Sequence, residues 1–413
     1  MNKAQQLHNL GQSLWLDNIS RAMLDDGCLR TIIEQFSVTG LTSNPTIFDQ
    51  AIGSTDAYDA GILAKTRAGL SGEPLFIELA LEDLRRAADL FRPSFDETRG
   101  VDGWVSMEIS PLLAEDTAGS IAAAASIHTL ADRPNLFVKI PGTPAGIPAI
   151  EEAIFRGIPI NVTLLFSREH YLAAADAYLR GIERRLAAGL DLRVASVASL
   201  FVSRWDQAID ASATAEQRKC LNTARARLID REDRDAGVNP NIAAALAMAG
   251  SRGADSDPAG VPAELGNRLG IAMGQRTYRA HRELLASPRW RALASVGARP
   301  QRLLWASTGT KAPNASDTLY VEALAAPDTI DTLPEKTLRA FADHGELHGT
   351  MAEDGGDAEA VLTRFMSAGI NVDALASRLQ VEGAASFVHS WQQLLGRIAD
   401  KHATLAGVAV HPA

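Results

Sequence analysis

A lysine interrupts an apolar run in the stretch LFVKIPGTPAG, from Leu136 to Gly146. Leu136, Phe137, Val138 and Ile140 have the composition of a buried strand, and Pro141 and Gly142 end it. Lys139 stands where a core residue is expected. An amine held in an apolar wall loses hydration, which favours its neutral form. A neutral amine is a nucleophile toward ketones and forms a Schiff base. The protonated imine then draws electrons from an adjacent carbon–carbon bond, which can break. Such a reaction needs a base for a substrate hydroxyl proton and an acid to help expel water from the carbinolamine.

Groups of these types stand at the ends of the other apolar runs. Asp17 closes SLWLD (13–17), and Thr42, Ser43 and Asn44 close SVTGLTSN (37–44). Glu108 lies in GWVSMEIS (103–110), and Asn161 and Thr163 lie in IPINVTLLFS (158–167). Ser199 belongs to RVASVASLFV (193–202), with Arg204 just past it. Ser307 lies next to the end of RLLWAST (302–308), and Lys311 follows in its loop. Asp17 and Glu108 suit the proton transfers, Asn44 and Ser199 suit substrate hydroxyls, and Arg204 and Lys311 suit a phosphate. Plainer readings exist: a structural Lys139–Glu108 ion pair, or Asp17 and Asn44 as turn or cap residues. Their shared placement at strand ends favours one site over separate structural roles.

That set converges only if the strands run side by side. Counting a last, weak run at 328–334, eight apolar segments alternate with helical patterns. Strands buried on both faces and joined by helices imply a parallel sheet. Eight units favour an α/β fold of the closed (β/α)8 type, a TIM barrel, whose active sites lie at the C-terminal ends of the strands. A doubly wound open sheet is the alternative, weakened by the lack of G-x-G-x-x-G after the first strand. The region 205–300 is too long for one crossover and predicts extra helices, with a polar loop at 250–260. The whole chain, 1–413, reads as one domain: a barrel over about 13–345 and a helical extension over about 346–413 packed on it.

Composition bounds the partners. The 413 residues are 46% hydrophobic and 22% charged, with a net charge of −10. That balance argues against a general nucleic-acid or anionic-membrane binder, while leaving room for a local basic pocket. Cys28 and Cys220 form no Cys-x-x-Cys pair, so neither a disulfide framework nor a cysteine zinc site is expected. HGELH (344–348) spaces His344 and His348 four apart, but Gly345 weakens a helix there and surface histidines are expected. The N-terminus has no apolar core of a signal peptide, and no run approaches the ~20 apolar residues of a membrane span. The expectation is a cytoplasmic enzyme with no metal or organic cofactor; a homo-oligomer is left open.

These motifs resemble the transaldolases, in particular the longer bacterial type. GLTSNPTIF (40–48) is similar to the family's N-terminal signature, and LFVKIPGTPAGIPAIEEA (136–153) to the signature around its Schiff-base lysine. WLDNISR, VSMEIS, GIPINVTLLFS, VASLFVSRWD and LLWASTGTK match in order, so the resemblance covers nearly the whole chain. It implies transfer of a dihydroxyacetone unit from sedoheptulose 7-phosphate to glyceraldehyde 3-phosphate, giving erythrose 4-phosphate and fructose 6-phosphate. By the same resemblance Lys139 would form the imine and Asp17 would take the proton that triggers cleavage. Glu108 would act through a water placed with the help of Thr163. Asn44 and Ser199 would hold hydroxyls, with Thr42, Asn161 and Phe201 completing the substrate-binding set. Arg204 and Ser307 would bind phosphate. Shorter transaldolases carry an arginine soon after the strand-seven serine; here Lys311 takes that place, a point charge rather than a fork. The nearest rival is a lyase, a fructose 6-phosphate aldolase. Related aldolases carry a tyrosine where this chain has Phe201, so transfer is favoured. A non-catalytic sugar-phosphate sensor would not need both acids beside the lysine.

Overall fold

Each apolar run seen in the sequence overlaps one strand of a computed structural model that describes residues 1–210, 265–312 and 315–409. The strands are β1 (Ser13–Leu16), β2 (Val38–Thr42), β3 (Trp104–Glu108), β4 (Leu136–Pro141), β5 (Ile160–Leu165), β6 (Ser196–Phe201), β7 (Gln301–Ala306) and β8 (Ile330–Leu333). β4 has the expected bounds, and most of the others are shorter. At β5 the reason is visible: Pro159 accepts a hydrogen bond from Val138 but has no N–H to extend the ladder. Neighbouring strands pair in parallel from β1 round to β8, and β8 pairs back to β1. The barrel is closed, as expected, and the open-sheet alternative falls. The polar loop expected at 250–260, and Cys220, lie outside the described residues.

Side chains alternate between the two faces of each strand. Phe137 therefore shares the inner face with Lys139, and Trp104 stacks on Phe137 with ring centroids 4.0 Å apart. Trp15, Val197, Leu304 and Ile330 join them in one apolar cluster. β2 contributes Gly40 beside it, where a Cβ would lie 2.7 Å from the Trp15 indole and from the Trp104 carbonyl oxygen. The glycine is what lets an indole lie inside the barrel. Below, Ser13 Oγ donates to Asp102 at 2.7 Å and Arg302 pairs with Asp102 at 3.2 Å, closing the N-terminal end. The other polar inward-facing residues then collect above the aromatic floor.

Helices cover the outside of the strands. Between β6 and β7 the described residues include Leu269–Ala286 and Pro288–Ser295, and after β8 come Glu335–His344, Ala358–Ser367 and Val372–Ala409. The last is 38 residues long. It is fixed by Arg397 to Asp49 at 2.6 Å, by Lys401 to Asp59 at 2.6 Å, and by Trp391 edge-on to Phe76 at 5.1 Å. Nearer its start it reaches the top of the barrel, where Gln380 Nε2 donates to the carbonyls of Gly142 and Leu164, each at 3.0 Å. Among the described residues no helix is long and apolar enough to cross a membrane.

Candidate active site

Strand register sets the first contacts of the site. Glu108 on β3 lies opposite Lys139 on β4, and Lys139 lies opposite Asn161 on β5. Lys139 Nζ sits 3.4 Å from Glu108 Oε2 and donates to the Ser43 carbonyl at 3.1 Å, and both side chains are almost wholly buried. Asp17 follows β1 directly; its amide bonds to the Leu333 carbonyl of β8, and Thr42 Oγ1 donates to its Oδ1 at 2.8 Å. The Thr42 hydroxyl also meets that of Thr332 at 2.7 Å. A second chain runs across β6, β5 and β3: Ser199 Oγ donates to Asn161 Oδ1 at 2.7 Å, and Asn161 Nδ2 to Ser106 Oγ at 3.2 Å. Among the described residues Thr163 Oγ1 is buried without a hydrogen-bond partner, and Glu108 Oε2 has only its 3.4 Å ion pair with Lys139, so both have bonding capacity left for a substrate or a water.

Above these groups opens a cavity of about 620 Å3 counting its mouth. Asp17, Thr42, Asn44, Lys139, Thr163 and Ser199 line its inner part, and Phe201, Arg204, Ser307 and Lys311 are also in its wall. Of the twelve residues singled out in the sequence, Glu108 and Asn161 alone are not on that wall; they sit beside Lys139, one on each neighbouring strand. Asn44 is also a helix cap, its Oδ1 accepting from Ile47 N at 3.0 Å, which leaves its amide N–H groups for the cavity. The plainer reading of Asn44 was therefore correct and does not exclude the other.

The two acids have the same electrostatic character. Burial pushes the Asp17 carboxyl above the usual range, against the opposing pull of Lys139, the Thr42 hydrogen bond and Lys311. Burial likewise raises Glu108, again opposed mainly by Lys139. Proton acceptors whose pKa burial raises, set beside a primary amine, suit imine chemistry. Farther up, the described residues give the Arg204 guanidinium no hydrogen-bond or ion-pair partner; it packs between aromatic rings, and burial lowers its pKa. Ser307 holds a left-handed backbone (φ 57°), and its hydroxyl lies 2.9 Å from that of Ser203. Leu164, at φ 59° beside a register break in β5, also departs from regular strand geometry. Such bulges recur next to active sites.

The sequence reading missed Thr332, Gly309, Pro334 and Phe387, all of which line the cavity. Thr332 lies in β8, the run with the weakest pattern, and could have been found by extending the strand-end comparison to that strand. Phe387 comes from the C-terminal helix, where an aromatic at helical spacing reads as core. His344 ends the Glu335–His344 helix, pairs with Asp317 at 2.9 Å and is exposed, while His348 lies beyond the helix end and pairs with Glu346 at 3.4 Å. Among the described residues no group of three or more His, Cys, Asp or Glu is placed to hold a metal ion.

Known proteins share this chain along nearly its whole length. The family model for transaldolase/fructose-6-phosphate aldolase matches residues 14–398. A transaldolase of Thermobifida fusca is 41% identical over 399 residues, covering 96% of this chain and 97% of that protein. One of Thiobacillus denitrificans is also 41% identical, over 96% of this chain and 100% of its own. Transaldolase 2 of a Nostoc species is 37% identical over 411 residues, covering 99% and 100%. A closed barrel with a buried lysine between two raised carboxyls, and relatives of this name matched end to end, lead to one conclusion: the chain belongs to the transaldolase/fructose-6-phosphate aldolase family.

Proposed function

We propose that the chain is a transaldolase, a transferase that moves a dihydroxyacetone unit from sedoheptulose 7-phosphate to glyceraldehyde 3-phosphate. The observation that carries this is the buried Lys139–Glu108 pair with Asp17 beside Lys139 in the wall of one cavity, a wall that also holds Arg204 and Lys311. The Lys139 amine adds to the C2 ketone, and the carbinolamine loses its hydroxyl as water with a proton passed from Glu108 through a water held with Thr163. Asp17 takes the C4 hydroxyl proton, the C3–C4 bond breaks toward the imine, and erythrose 4-phosphate leaves. The remaining enamine carbon attacks the acceptor aldehyde, and Asp17 returns the proton. Hydrolysis of the new imine releases fructose 6-phosphate. Asn44, Ser199 and Thr42 hold the dihydroxyacetone hydroxyls, and Asn161 holds Ser199 in place. Arg204, Ser307 and Lys311 receive the phosphate.

Transfer is favoured over release because Phe201, in the cavity wall, has no hydroxyl with which to place a water that would protonate the enamine. The test is an assay with fructose 6-phosphate as donor, with and without erythrose 4-phosphate. Acceptor-dependent turnover with little free dihydroxyacetone is expected; rapid release without acceptor would make the chain the lyase. We further read residues 1–413 as one domain, supported by the Arg397, Lys401, Trp391 and Gln380 contacts that bind the C-terminal helix to the barrel. The proposed location is the cytoplasm.

A further inference from the structure

The Arg204 guanidinium is held by rings rather than by charges. Its central carbon lies 4.9 Å from the Phe201 ring centroid and 5.7 Å from that of Phe387. Stacking fixes the plane of a guanidinium and leaves its edge N–H groups for a bidentate anion. Among the described residues no carboxylate or carbonyl takes those N–H groups, and Arg204 faces the cavity. Phe201 comes from β6, but Phe387 comes from the C-terminal helix, about 180 residues later in the chain.

Two further residues on the same face of that helix serve the same arrangement. Gly383 precedes Phe387 by one turn, and a Cβ there would lie 3.1 Å from Arg204 Nη1 and 2.9 Å from Leu164 Cδ2. A larger residue would push against the guanidinium itself. Gln380, three positions earlier, fastens the helix to the tops of β4 and β5 through the Gly142 and Leu164 carbonyls. Those are the strands that carry Lys139 and Thr163. The height of the helix above the barrel is thus tied to the strands that carry the chemistry.

We propose that the C-terminal helix sets the selectivity for phosphorylated sugars: Phe387 and Phe201 clamp Arg204 in the plane that receives the phosphate, Gly383 leaves it room, and Gln380 holds the helix at the working height. Phe387, Gly383 and Gln380 are positioning residues, acting through Arg204 and not on the reacting carbons. The inference rests on the assignment of Arg204 to the substrate phosphate.

The experiment compares KM and kcat for fructose 6-phosphate and for unphosphorylated fructose as donors, in the wild type and in Phe387→Ala, Phe387→Leu, Phe387→Tyr and Gly383→Ala. The wild type is expected to favour the phosphorylated donor strongly in KM. Phe387→Ala and Gly383→Ala should each raise KM for fructose 6-phosphate by about tenfold, the equivalent of about 1.4 kcal/mol of lost cation–ring and anion contact. KM for fructose and kcat for either donor should change by less than about twofold, a split that general damage to the fold would not produce. Phe387→Tyr keeps a ring and should retain the wild-type ratio; Phe387→Leu keeps bulk without a ring and should not. A wild type with no preference for the phosphorylated donor would overturn both the Arg204 assignment and the inference. A wild type that discriminates, with variants that keep its ratio of KM values, would overturn the helix inference alone. Should Phe387→Ala fail to fold, the Leu and Tyr pair and Gly383→Ala decide the matter.

Discussion

At the scale of single residues, the proposed mechanism depends on carboxyls held above their ordinary range by burial. Asp17 must be ionised to act as a base, and its raised pKa places loss of that form at a higher pH than for a free carboxylate. The acid limb of kcat is therefore expected above the ~4 of an ordinary Asp; activity held down to pH 4 would contradict the role. Asp17→Asn should slow cleavage by roughly 10²–10⁴ while imine still forms, as read by single-turnover trapping. Another acid, the fully buried Asp331, stands behind the loop after β7, where Thr308 Oγ1 donates to it at 2.8 Å, and burial pushes its pKa up to about 7. A folded-state pKa above the unfolded 3.8 means the folded chain binds the extra proton between those values, so stability falls as pH rises from about 4 to about 7 and stays lower above it. Asp331→Asn lacks that loss. Its stability at pH 8 should exceed that of the wild type by on the order of 2–4 kcal/mol in denaturant unfolding, and the difference should vanish toward pH 4. Lys139, Glu108 and Asp17 were legible in the sequence because a charge in an apolar run breaks a pattern that water otherwise enforces. Asp331 has that signature too, within a run too short and mixed to show it.

At the scale of elements, the strands were legible because each is buried on both faces and bounded by turn residues. Their ends were not, since pairing partners and proline positions decide where a ladder stops, as at Pro159. Inner and outer faces could be assigned only after closure: Trp15 turns inward onto the floor and Trp305 outward to the helices, though both are tryptophans in short strands. The inward choice for Trp15 depends on Gly40. Gly40→Ala would place a methyl 2.7 Å from the indole and is expected to cost about 1–3 kcal/mol of stability, measured by denaturant midpoint at constant slope. A neutral outcome would mean the aromatic floor has slack that the contact distances do not show. The C-terminal segment was legible as helical, but as two or more helices rather than the one continuous helix of 38 residues it forms, and not as a wall of the cavity. Its face, Gln380, Gly383 and Phe387, has the spacing of ordinary packing, and only the barrel beneath it distinguishes a lid from a buttress.

At the scale of the whole molecule, closure of the barrel makes distant segments meet. Thr42 and Thr332 share a hydrogen bond across 290 positions, and Phe387 shares Arg204 with Phe201. If the barrel and the C-terminal helix form one domain, tryptophan fluorescence and far-UV circular dichroism should report coincident unfolding transitions, whereas two separated transitions would split them. The central claim concerns the amine at the heart of this assembly. Reduction with borohydride in the presence of fructose 6-phosphate should add one dihydroxyacetone-derived mass to the chain, and peptide mapping should place it on the segment 136–146 at Lys139, with no adduct in Lys139→Ala. An adduct on any other lysine, or full turnover with none, would contradict the account.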